Sequence, residues 1–292
     1  MSDNYLRWSE IAYGGENHPP NDAVDPQASS WPMYYLKRDG DSFYGPNGKF
    51  SFQISSPESI DWNKQLSIVQ STLKNITTEQ VNIATYWGTG PATKQWTPII
   101  DRLIDTYGLT PTKAARVLAA VQAGMNDTFV VAWYYKYLSD VARPIQYDPK
   151  LKPILCTPRF PTYVSGHAAV SGCAETILSY FFPSEARRLK ELAEQNAKSR
   201  LYAGVHFPID NDEGLRLGRQ IGKVITNELH QQREEDGSLI DNFNRLNLHA
   251  DLLPPPYTQA IPFDFKESCA SNTAYSNNKS EIRPVPKPKI FI

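Results

Sequence analysis

The strongest constraint on the fold is one long helical stretch that opens at Thr110-Pro111. A hydroxyl at the N-cap followed by proline at the first helical position is a start signal, because the N–H that proline lacks has no intrahelical partner there. Leu118, Val121, Met125, Thr128, Ala132 and Tyr135 then recur at steps of three and four, which marks one helix face. The pattern predicts a helix running to about Ala142, ended by Arg143-Pro144, since proline disfavours helical geometry in the residue before it. A helix of that length has to bury its stripe against other helices.

Those partners are legible on either side. After Asp61, Leu66, Val69, Leu73 and Ile76 form one stripe. Thr78-Glu79 opens a second helix with Val81, Ala84 and Trp87, closed by Gly88-Thr89-Gly90-Pro91. Trp96, Ile99, Ile100, Leu103, Ile104 and Tyr107 mark a third, stopped by Gly108. Ser165-Gly166 leads into a helix with Ala169, Cys173, Ile177 and Tyr180, and a charged helix spans Ser184 to Lys198. Asp212 is expected to cap the next helix, where Leu217, Ile221, Val224, Ile225 and Leu229 face inward. Gly214, Gly218 and Gly222 stand at steps of four along it, which lets a neighbouring helix approach closely. With no βαβ alternation, the fold class expected is all-α, a helical bundle with long irregular N- and C-terminal segments. The expected division is an irregular segment over 1–60, a helical oxyanion-binding catalytic domain over 61–250 and an extended proline-rich tail over 251–292. Trp8, Trp31, Tyr34 and Tyr35 pin the first segment to the body, and Phe43 to Phe52 suits a short hairpin turning at Asn47-Gly48. The long ends are also suited to wrapping a second subunit in a homo-oligomer.

Hydrophobic residues are 40% of the 292, charged residues 21%, and the net charge is −1. A near-neutral chain is unsuited to nucleic acid or to an anionic membrane surface, so a local cluster of cations marks a site. The longest apolar or aromatic run, Phe129 to Tyr135, is far short of the ~20 residues of a membrane helix. The start of the chain lacks a basic stretch and an apolar h-region, so a soluble, cytoplasmic protein is expected. Cys156, Cys173 and Cys269 are odd in number and lack metal-ligand spacing. They read as free thiols in a reducing compartment, an accidental Cys156–Cys173 bridge being the one pairing to weigh.

Cations and imidazoles recur in a fixed order: Lys136 and Arg143-Pro144, then Ser165-Gly166-His167, then Ser199-Arg200, His206 and Asp210. Three positive charges, two imidazoles and a hydroxyl suit a compact tetrahedral oxyanion. Lys136 and Arg143 are seven apart, close to two helical turns, so the spacing puts both on one face. Asp140 lies between them, and a solvated ion-pair ladder is the plain alternative. Lys136 also sits among Val131, Trp133, Tyr134, Tyr135 and Leu138, where burying a lone charge is costly and an anion offsets the cost. Amides at a helix start plus the Ser165 hydroxyl make an anion site, or Ser165 is simply an N-cap. At His167 the helix dipole disfavours protonation while a bound anion favours it, which suits an acid–base near neutrality. Gly204 is expected to break the helix between Arg200 and His206. Asp210, four residues after His206, can accept from one ring nitrogen and leave the other as ligand or nucleophile; a surface helix pair is the plain alternative. His18, His230 and His249 fall outside any zinc pattern.

Lys-x6-Arg-Pro, Ser-Gly-His and Ser-Arg-x5-His-x3-Asp together resemble the three-part signature of the superfamily joining type 2 phosphatidic acid phosphatases with vanadium-dependent haloperoxidases. From about Trp87 to Gly222 the chain is similar to soluble bacterial vanadium haloperoxidases, in Trp-Gly-Thr-Gly-Pro, the Leu109-Thr110-Pro111 helix start and Ser199 through Phe207. Val164 stands where the family usually has proline. The resemblance implies that Lys136, Arg143, Ser165, Gly166 and Arg200 hold the oxygens of vanadate, with phosphate able to occupy the same site. It implies His206 as the vanadium ligand supported by Asp210, and His167 as the acid–base. Trp133 and Phe160 match aromatics lining the halide pocket of chloride-oxidising relatives, or are core aromatics. The implied reaction takes hydrogen peroxide, a halide and a small organic substrate. The alternative is a soluble phosphomonoesterase that forms a phosphohistidine on His206; a non-catalytic oxyanion-binding protein is a third reading.

Overall fold

The computed structural model describes residues 5–241, 248–252, 254, 256–261 and 269–274. Among these the helices are α1 (Trp62–Lys74), α2 (Thr78–Gly88), α3 (Trp96–Thr106), α4 (Pro111–Ser139), α5 (Pro144–Tyr147), α6 (Gly166–Phe181), α7 (Ala186–Tyr202) and α8 (Pro208–Gln231). Local chemistry sets several starts. Asp61 accepts from the Lys64 amide at 3.0 Å, and Thr77 and Gln80 form a reciprocal capping box. Among the described residues the fold is all-α apart from three short strands, β1 (Lys37–Asp39), β2 (Ser42–Gly45) and β3 (Gly48–Phe50). They form an antiparallel meander in which Phe43 faces Phe50 and Gly45 faces Gly48, the hairpin expected around Asn47-Gly48.

Helix α6 is the axis of the bundle. It packs on α8, α7 and α4, and it is apolar or small nearly all round, as a central helix must be. The α6–α8 seam is set by glycine: a Cβ on Gly218 would run into the Ala169 carbonyl oxygen, and one on Gly214 would lie 2.6 Å from that of Ser165. Only an absent side chain allows main chains this close.

Two helix ends differ from expectation. Helix α4 stops at Ser139, because Asp140 adopts a left-handed conformation (φ 49°) and its carboxylate accepts from the Ser9 amide and hydroxyl at 3.2 and 2.5 Å. Arg143 therefore precedes a separate short helix. It does not share a helix face with Lys136, and Asp140 is not the centre of an ion-pair ladder between them. Helix α8 begins at Pro208, not at an Asp212 cap; proline at the first helical position was the start signal, and Asp210 rather than Asp212 accepts from the leading amide, Phe207 N, at 2.9 Å.

The N-terminal residues lie along α4. Asp127, fully buried on that helix, accepts from the amides of Tyr34, Tyr35 and Leu36 at 2.8, 2.7 and 3.0 Å. Tyr5, Leu36, Phe43 and Phe52 join the same apolar cluster as the helices, as does Leu252. The cysteine reading is corrected: Cys156 and Cys269 form a disulfide with Cα atoms 5.6 Å apart, and only Cys173 is a free, buried thiol among the three. Backbone bonds bring the two segments together, Ala274 N to Pro153 O and Asn272 N to Gly14 O, both at 2.8 Å. A partner 113 residues away leaves no local signal. Because disulfides persist in oxidising surroundings, the reducing-compartment expectation loses its cysteine support. Among the described residues no helix is long and apolar enough to cross a membrane.

Candidate active site

Five helix ends and the loops between them converge on one buried volume. Lys136 comes from the last turn of α4, Arg143 from the residue before α5, and Ser165, Gly166 and His167 from the start of α6. Arg200 comes from the last turn of α7, His206 from the loop after it, and Asp210 from the first turn of α8. Gly204, at φ 74°, breaks the chain between Arg200 and His206 as its position suggested.

Lys136 has no exposed surface. Its Nζ donates to the carbonyls of Pro161 and Thr162 at 2.8 and 2.9 Å. Arg143 is equally buried. Its Nε donates to Phe160 O at 2.9 Å, and its Nη1 donates to Val205 O at 2.8 Å and to His206 Nε2 at 2.9 Å. Asp210 Oδ2 accepts from Thr162 Oγ1 (2.5 Å), Phe207 N (2.9 Å) and His206 Nδ1 (2.9 Å). This network assigns the His206 proton to Nδ1 and leaves the Nε2 lone pair facing the arginine. Ser165 Oγ accepts from Ala168 N at 3.4 Å and the Ser165 amide donates to Asp210 O at 2.9 Å, so the α6 and α8 starts are tied together.

Other polar atoms in the same volume have no protein partner although they are sealed from solvent: Arg143 Nη2, Arg200 Nε and Nη1, and His167 Nε2. An unmet buried donor costs on the order of 1–3 kcal/mol, more when charged, so a cluster of them marks a place meant for something else.

The charge balance points the same way. Three cations share the volume with one carboxylate. Burial, then the Arg143 charge, pulls Lys136 well below its usual range, and the same two causes pull Arg200 down to about 9; burial lowers Arg143 as well. Burial first, then the neighbouring cations, holds both His167 and His206 well below the usual imidazole range, so both rings are neutral at pH 7. Asp210 is pushed up to about 6 by burial, against the opposing bonds from Thr162 and Phe207. The volume is short of negative charge, and a tetrahedral oxyanion meets both the charge deficit and the unpartnered donors. A metal cation does not: among the described residues no group of three or more His, Cys, Asp or Glu is placed to hold one.

One wall is aromatic. The Trp133 and Phe160 rings lie 4.8 Å apart and Phe129 lies 5.6 Å from Trp133. Lys136 Nζ and the Arg143 guanidinium sit 5.0 and 4.8 Å from the Phe160 ring centre. Phe129 and Trp133 also face Gly166, 3.5 Å from where a Cβ would stand. His167 is the one partly exposed residue of the oxyanion set. Sequence reasoning missed Thr162, which holds Asp210 and lies 3.1 Å from His206 Nδ1, because a lone threonine in an extended segment carries no signal. It also assigned no part to the end of α2, where the Trp87 backbone faces His167 and makes the ring more basic.

Residues 184–235 match the family described as the VCPO second helical-bundle domain. That span holds Arg200, His206 and Asp210. A bacterial vanadium-dependent iodoperoxidase superimposes with a TM-score of 0.62 at 25% identity over 79% of this chain. The chain carries the vanadium haloperoxidase fold. Apo-type and holo-type bacterial vanadium-dependent chloroperoxidases share that haloperoxidase fold with TM-scores of 0.57 and 0.54, at 15% and 17% identity, each over 78% of this chain. The chain spans 62%, 63% and 61% of the lengths of these three structures. No curated protein matches the sequence.

Proposed function

We propose that this protein is a vanadium-dependent haloperoxidase, oxidising halide with hydrogen peroxide to a hypohalous species that halogenates small organic substrates. The observation that carries the reading is the set of buried, unpartnered polar atoms on Arg143, Arg200 and His167 facing a volume rich in positive charge. Vanadate fits them: Lys136, Arg143, Arg200, the Ser165 hydroxyl and the Gly166 amide would hold its oxygens, and His206 Nε2 would be the ligand to vanadium. Bound vanadate supplies a Lewis-acid centre that makes peroxide electrophilic toward halide.

The protein side of the chemistry follows from the network. Asp210, braced by Thr162 and Phe207 N, keeps the His206 proton on Nδ1, so the Nε2 lone pair, which here accepts from Arg143 Nη1, would pass to the ligand. His167, neutral at pH 7 and without a partner at Nε2, takes the proton that peroxide gives up on binding and returns one when product leaves. Lys136, Arg143 and Arg200 balance the anionic charge, which in turn favours their protonated forms. Trp133 and Phe160 line the halide approach, keeping water away from the reacting atoms.

The His206–Asp210 pair also suits a phosphohistidine-forming phosphomonoesterase. Burial of the oxyanion set favours small reactants such as peroxide and halide over a bulky phosphate ester. One experiment separates the two. Vanadate-loaded protein is expected to brominate a phenolic dye with peroxide, and vanadate-free protein is expected to leave an aryl phosphate intact. Inactivity with chloride, bromide and iodide, together with aryl phosphate turnover that vanadate inhibits, sinks the haloperoxidase reading.

A further inference from the structure

We propose that Gly88, the last residue of α2, is a positioning residue of the anion pocket: by carrying no side chain it seats the Arg200 guanidinium. The inference rests on the oxyanion reading above. A Cβ built on Gly88 would stand 2.6 Å from Arg200 Nη1 and 3.6 Å from Arg200 Cζ, and closer still to Leu155 Cδ1. Gly88 is not among the glycines with positive φ, so glycine is needed here for space and not for conformation.

The orientation of Arg200 depends on that space because little else fixes it. Its Nε and Nη1 have no hydrogen-bond partner in the protein, and the residue is 3% exposed. A guanidinium without tethers takes the direction its packing allows. Here the walls are the end of α2 and the Leu155 side chain, and α2 presents its C-terminal, partially negative end, which favours a cation. The residue before, Trp87, faces His167 with its backbone. One helix end thus sits behind two of the three site groups that carry unpartnered atoms, Arg200 and His167. A methyl group at position 88 drives the guanidinium into the anion's volume or turns it aside, and either movement spoils the aim of its two unpartnered nitrogens.

The test is Gly88→Ala in the full-length chain, read by calorimetric titration with inorganic phosphate and with vanadate. Misaiming one charged donor pair predicts about 10- to 100-fold weaker binding of both anions. Helix propensity alone would make alanine there neutral or stabilising. The discriminating readout is a double-mutant cycle. In an Arg200→Lys background, where the ammonium has no Nη1 to meet the methyl, adding Gly88→Ala changes affinity by no more than about twofold. In a Leu155→Ala background, which relieves the other close contact and keeps the variant folded, the penalty persists. Three outcomes overturn the inference alone: equal affinity for wild type and Gly88→Ala, a penalty that adds in full to Arg200→Lys, or a penalty abolished by Leu155→Ala. Wild-type protein that binds neither anion overturns the oxyanion reading and takes this inference with it.

Discussion

The two histidine corners of the pocket differ in how far the protein itself satisfies their rings. Around His206 each ring nitrogen has a partner, Nδ1 on Asp210 and Nε2 on Arg143, and Asp210 Oδ2 is itself braced by Thr162 and an amide, while Asp210 Oδ1 and Arg143 Nη2 at its edge have none. Around His167 and Arg200 the polar atoms are just as buried and have none at His167 Nε2, Arg200 Nε or Arg200 Nη1. The first corner is held by the protein's own bonds before a ligand arrives, and the Arg143 bond to Nε2 is the one that a ligand at Nε2 would replace. The second destabilises the protein until an anion arrives, and so it is where binding energy is held in reserve.

If that contrast is real, cutting the satisfied corner should cost stability most. Asp210→Ala leaves a hydroxyl, an amide and an imidazole N–H unpaired in the core, and it is expected to lower unfolding free energy by roughly 3–5 kcal/mol in chemical denaturation. A loss under about 1 kcal/mol would mean that the braced corner is not braced. The unpartnered corner should respond with the other sign. Arg200→Met removes an unpaired buried charge and keeps an apolar stem, so the ligand-free protein gains roughly 1–3 kcal/mol while phosphate affinity falls about 100-fold. Stability and affinity moving in the same direction would erase the distinction.

The smallest effect sharpens the comparison through pH. Burial, Arg200 and Lys136 keep His167 unprotonated in the free protein at pH 7, and a bound anion raises its basicity again. Binding therefore takes up a proton and tightens as pH falls. Sulfate, which does not titrate in this range, should bind more tightly at pH 6.5 than at pH 8, by about threefold to tenfold. Asp210, at about 6, titrates into the low end of this window, so its contribution has to be read from the His167 variant. His167→Gln should flatten the dependence; an unchanged slope would move the proton to another group.

What could be read from the sequence was whatever a few neighbouring residues decide. Proline and hydroxyl punctuation and the three-and-four spacing placed α1 to α4 and α6, and the glycine row on α8 foretold a close seam. The site cations and imidazoles stand at helix ends, so their order along the chain already described a pocket where those ends meet. The failures were long-range. Asp140 leaves helical geometry because Ser9, 131 residues away, holds its carboxylate, and that moved the end of α4 and took Arg143 off it. Thr162 matters only once α8 brings Asp210 to it. Cys269 finds Cys156 only after its segment docks beside Pro153 and Gly14.

The glycine row reaches further than packing. Gly214 lies one turn beyond Asp210 on α8, and its Cα faces the carbonyl of Ser165, the residue that opens α6. Beside it stands only the Ala168 methyl, which cannot flex to absorb an error. Atomic radii alone thus act as the gauge for the span between the proton-bearing ring on one helix and the carboxylate on the other, and a single added methyl group would be transmitted to the reacting centre as a change of length.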